Sequence, residues 1–78
     1  MSIFLSEIKR DSQAKVVDFS PNCSYKIKRR LLELGFFNGT IITLNQRSFL
    51  NEVLLVELNG YLISLRADIA KNIIVENV

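Results

Sequence analysis

The sequence predicts a mostly β fold: a small, partly open barrel of five short strands, with one short helix inserted after the first strand. Three observations carry that expectation. Short β-branched and aromatic runs recur along the chain, and Asn-Gly pairs at 38–39 and 59–60 punctuate them. One stretch with helical spacing lies between Ser24 and Gly35. The chain has 78 residues, 49% of them apolar, which suits one domain over 1–78 with a simple core rather than a disordered chain.

The elements follow in order. Ile3, Leu5 and Ile8 are spaced to tuck a lead segment against the body, and Lys9-Arg10-Asp11-Ser12-Gln13 is a polar turn. Ala14 to Phe19 reads as the first strand, and Ser20-Pro21-Asn22 breaks it because proline cannot continue a ladder. A helix follows, with Asn22 or Ser24 as its cap and Gly35 as the left-handed residue that stops it. Ile27, Leu31 and Leu34 share one stripe of that helix, while Lys26, Arg29, Arg30 and Glu33 cluster on the side away from it. Thr40 to Leu44 is the second strand, and Asn45 to Asn51 a polar loop with Phe49 and Leu50 inside it. Val53 to Leu58 and Tyr61 to Leu65 form a hairpin around Asn59-Gly60. One helical turn over Arg66–Ala70 precedes the last strand, Asn72 to Glu76. Strands this short are unstable as a flat sheet with one wet face, and curling protects their edges.

Composition excludes several function classes. The longest apolar runs, such as Val53–Val56, fall far short of the ~20 residues a spanning helix needs. The first residues lack a basic region, and Glu7 interrupts any secretory apolar stretch, so a cytoplasmic chain is expected. A lone Cys23 rules out an internal disulfide. Its structural reading outweighs a reactive thiolate assisted by Lys26. There is no histidine, no nucleophile elbow, no phosphate loop and no paired carboxylate spacing, so neither catalysis, nor a dedicated metal site, nor any cofactor is expected.

The ordered residues resemble the ferrous iron transport protein A family, FeoA. Arg29-Arg30-Leu31-Leu32-Glu33-Leu34-Gly35-Phe36 and Gly39-Thr40 carry the resemblance. It continues in Leu54 to Gly60 and Leu62 to Arg66, and closes with Ala70 and Ile73-Ile74-Val75. It implies an SH3-like barrel, also found as a C-terminal domain of some metal-dependent repressors. It further implies a role in ferrous iron uptake beside the membrane transporter FeoB, whose cytoplasmic part carries a GTP-binding domain. Recruitment to the inner face of the membrane, without insertion into it, goes with that partner. The chain departs from the family pattern at three places. It has no glycine in Lys9–Ser12, it has Asn38 in place of proline, and Phe49-Leu50-Asn51-Glu52 replaces a Gly-Asp-Pro turn.

The motif's glycines and leucines are what the fold itself requires, so function must sit elsewhere. The first candidate is the basic helix face of Lys26, Arg29 and Arg30, with Lys28 nearby, as a patch for an acidic protein partner. Lys26 in the first turn opposes the helix dipole, and Arg29 with Glu33 is the weaker orientation of an i,i+4 pair. This placement does not optimise helix stability. The second candidate is Phe49-Leu50, a contact for a partner or for a second copy unless the loop curls over the barrel end. The third is the outer face of Val53 to Leu58, for which cover from Ile3, Leu5 and the helix stripe is expected. Nucleic acid is disfavoured by a net charge of only +2 and by Tyr61, which alternates with Ile63 and Leu65 rather than with cations. The reading is thus a non-enzymatic adaptor that binds FeoB. The alternatives are a nucleic-acid-binding barrel and a metal-linked regulatory domain like that of the repressors.

Overall fold

Alternation along each strand becomes an inside and an outside. The computed structural model describes residues 2–78. Its strands are β1 (Ser2–Phe4), β2 (Gln13–Phe19), β3 (Ile41–Arg47), β4 (Val53–Leu58), β5 (Tyr61–Arg66) and β6 (Ile73–Asn77). The helices are α1 (Tyr25–Leu34), between β2 and β3, and the four-residue α2 (Ala67–Ala70), with a 3-10 turn at Leu5–Glu7. All strand pairs are antiparallel, in the order β1-β6-β2-β3-β4-β5. Ala14 and Val16 of β2, Ile42 and Leu44 of β3, Leu54, Val56 and Leu58 of β4, and Ile73 and Val75 of β6 point inward and are buried.

The sheet curls. Its register shifts between Val16 and Asp18 in β2 and between Leu44 and Gln46 in β3, and such bulges bend and twist a strand. The molecule measures 29 × 25 × 25 Å, whereas a flat sheet under one layer of helix would be much thinner in one direction. β1 and β5 are the two edges of the sheet, so the barrel stays open between them. Leu5, Leu31 and Phe36 close the core from the lead segment, the helix and the turn that follows it.

α1 starts and stops as expected. Ser24, not Asn22, is the cap: its Oγ accepts the Ile27 amide at 3.2 Å. Gly35 is left-handed at φ 108°. Its N–H donates to the Leu32 carbonyl, and the next amide, Phe36, reaches Leu31.

Three features differ from the expectation. The sheet has six strands rather than five, because Ser2–Phe4 pairs with β6 in addition to Leu5 and Ile8 tucking into the core. A three-residue strand carries no readable period, and its partner lies at the far end of the chain. Asn45-Gln46-Arg47, expected as loop, extends β3, since the bulge lets Gln46 and Arg47 pair with Leu55 and Leu54. Arg47 turns partly inward there, and its guanidinium donates to the carbonyls of Ser6 (2.8 Å) and Ile8. The outer face of β4 is only partly covered, with Leu55 half-buried, and the expected cover from Ile3, Leu5 and the helix stripe does not lie there. Leu5 and Leu31 enter the inner cluster with Leu54 and Val56, and Val53 remains exposed.

Candidate functional site

The basic face of α1 is solvent-facing, as the 100° spacing dictates. Lys26, Arg29 and Arg30 are all exposed, and with Tyr25 and Glu33 they line a shallow depression. The Arg29 Nε sits 4.0 Å from a Glu33 carboxylate oxygen, an exposed and weak ion pair. Lys26 and Arg30 have no ion-pair partner among the described residues. Lys28 belongs to a different surface, its ammonium 5.5 Å from the Phe19 ring centroid. The helix face therefore presents net positive charge. Tyr25, which the sequence reading passed over, adds an exposed aromatic ring beside the cations. Its position just after the Ser24 cap, off the apolar stripe, was the available signal.

The Phe49-Leu50 loop does not curl over the barrel. Phe49 is 97% exposed and Leu50 68%. The turn beneath them is tightly bonded. The Ser48 Oγ accepts the amides of Glu52 (3.0 Å) and Val53 (3.1 Å), the Ser48 N–H reaches the Val53 carbonyl, and the Asn51 N–H reaches the Ser48 carbonyl. Asn51 itself is left-handed at φ 58°, which asparagine tolerates. Two large apolar side chains are thus held outward on a bonded turn. No hydrogen bond or ion pair among the described residues ties this tip to the basic face.

Between the two features runs a surface that the sequence reading did not foresee. α1, β5 and α2 enclose an apolar groove of about 340 Å³. Arg66 lines both this groove and a second depression at the base of the Phe49 loop, with Asn51, Glu52 and Asp68. α1 is hydrogen-bonded to the tip of the β4–β5 hairpin. There Tyr61 donates its hydroxyl to the Leu34 carbonyl at 2.6 Å.

Among the described residues, no three His, Cys, Asp or Glu side chains gather where they would hold one ion. Cys23 is half-buried in the turn before α1, its thiol directed to the Ser24 carbonyl. Among the described residues, no helix is long and apolar enough to cross a membrane.

A model of the FeoA domain matches residues 3–77. Among curated proteins none matches. Solved structures superpose closely. A FeoA-like protein from Clostridium acetobutylicum is 31% identical with a TM-score of 0.88, over 99% of this chain and 87% of that one. The zinc complex of FeoA from Stenotrophomonas maltophilia is 30% identical with a TM-score of 0.82, over 95% and 89% of the two chains. That protein is described as a procaryotic SH3 domain protein and as a candidate activating factor of bacterial ferrous iron transport. A manganese-dependent transcriptional repressor matches with a TM-score of 0.89 over 99% of this chain but only 37% of its own; at 15% identity it shares the fold alone.

Proposed function

The chain belongs to the FeoA domain family, a family of ferrous iron transport with an SH3-like fold, and from that premise we propose that it is a cytoplasmic, non-enzymatic adaptor that binds the cytoplasmic part of the FeoB transporter. The observation that carries this reading is the pairing of a rigid β scaffold with two outward features the fold does not require. One is the cationic face of Lys26, Arg29 and Arg30; the other is the Phe49-Leu50 tip. An exposed apolar anchor and a cationic face on one small scaffold suit an acidic protein surface. Binding would bias the transporter's state only as far as affinity differs between its states.

The test is titration of this protein against the isolated cytoplasmic domain of FeoB from the same organism, with and without GTP. Saturable binding whose affinity changes with nucleotide supports a regulatory adaptor. Absence of binding to both that domain and the intact transporter in detergent overturns it.

A further inference from the structure

β5 is a sheet edge with unused backbone groups. The two-residue turn at Asn59-Gly60 makes Leu58 and Tyr61 a hydrogen-bonded pair. The pairs Val56–Ile63 and Leu54–Leu65 are then bonded as well. By the same alternation the amides and carbonyls of Leu62 and Ser64 point off the sheet, and no other segment of the described chain bonds to them. The apolar groove lies along this edge. Ile63, Ser64, Leu65 and Arg66 line it consecutively, and only a strand's edge, not one of its faces, offers both parities to one groove. Ile27, Leu31 and Leu34 of α1 form the opposite wall, and Ile69 of α2 closes one end. Arg30 and Arg66 stand at its rims. Arg30 has no ion-pair partner among the described residues, while Arg66 pairs with Asp68 at 3.1 Å.

We propose that the β5 edge and the α1–β5 groove receive an extended strand from an acidic protein partner. Its apolar residues, at alternate positions, would fill the groove, and its carboxylates would meet Arg30 and Arg66. Strand addition of this kind takes its affinity from backbone bonds and its specificity from alternate side chains. Charge selects the occupant. A second copy would add a further unpaired Arg30 where carboxylates are called for, since Arg66 is already matched by Asp68. The Phe49-Leu50 tip of another copy is a tight turn and cannot present the run of edge amides that Leu62 and Ser64 await.

This inference rests on reading the chain as an adaptor, but its test uses no transporter. The full chain is titrated with a fluorescein-labelled ten-residue peptide of alternating valine and glutamate, read by anisotropy, with amide hydrogen exchange followed by NMR. Saturable binding is expected, with exchange at Leu62 and Ser64 slowed at least about tenfold. N-methylation of one alternate set of peptide residues should weaken binding about tenfold or more, and methylation of the other set much less. A valine–lysine peptide should bind about tenfold more weakly, and Arg30→Glu, on an exposed position, should weaken the valine–glutamate peptide about fivefold. Several results overturn the proposal: no saturable binding, indifference to both methylated sets, equal affinity for the lysine peptide, or protection that avoids residues 62–66. Concentration-dependent protection of Leu62 and Ser64 in the free protein would assign the groove to a second copy and overturn it too. Failure here leaves binding to the transporter domain to be judged by its own titration.

Discussion

Tyr61 donates its hydroxyl to the main-chain carbonyl of Leu34 across 2.6 Å, fastening the last turn of α1 to the tip of the β4–β5 hairpin. The bond satisfies one of the carbonyls every helix leaves open at its C-terminus. Tyr61→Phe should lower stability by about 1 kcal/mol in urea unfolding, with the fold retained. An unchanged midpoint would show that water replaces the bond without loss.

Gly35 makes that fastening possible. A Cβ there would stand 3.0 Å from the Tyr61 hydroxyl and 3.1 Å from the Asn59 side-chain nitrogen, on a backbone at φ 108°. Gly35→Ala should therefore destabilise by roughly 1–3 kcal/mol, through left-handed strain and displacement of Tyr61 together. In combination with Tyr61→Phe the two losses should fall short of additive, since they share one contact.

Asp11 occupies the left-handed region at φ 65°, in the turn where the family usually carries glycine. Asp11→Gly should raise stability by about 0.5 kcal/mol, because relief of the backbone strain exceeds the added freedom of the unfolded chain. A thermal midpoint that falls instead would mean the Asp11 side chain contributes more than its exposed 4.0 Å contact with Arg10 suggests.

The tip should separate stability from binding. Replacing both Phe49 and Leu50 by serine removes side chains that touch little of the core, so unfolding should move by no more than about 0.5 kcal/mol. Affinity for the FeoB cytoplasmic domain should drop about tenfold or more, as befits an apolar anchor. Unaltered affinity would remove the tip from the proposed interface.

Charge reversal of Arg29 and Arg30 to glutamate is the matching test of the helix face. Association with the FeoB domain should weaken about tenfold at low salt and less at high salt, since exposed charges are screened. Stability should change little, because only the exposed Arg29–Glu33 pair is lost. Binding that survives both changes at low salt would exclude this face.

Local chemistry made most of the scaffold legible. Ser24 and Gly35 bound the helix because a cap and a left-handed stop act within one turn of chain. Asn59-Gly60 sets the register of β4 against β5, for a two-residue turn leaves one way to pair. The basic face needed only the helical period. The pairing of Ser2–Phe4 with β6, the extension of β3 through Arg47 and the outward Phe49 were decided by the tertiary structure. Each depends on what a segment meets from a distant part of the chain: an open edge at β6, the carbonyls of Ser6 and Ile8, or nothing at all. The groove belongs to the same class. Ile27 reads correctly as a residue that packs on the core, yet that it lines one groove with Ile63 depends on how α1 and β5 sit against each other in the fold. Spacing along a chain determines which face a residue takes; only packing determines how far apart two faces stand.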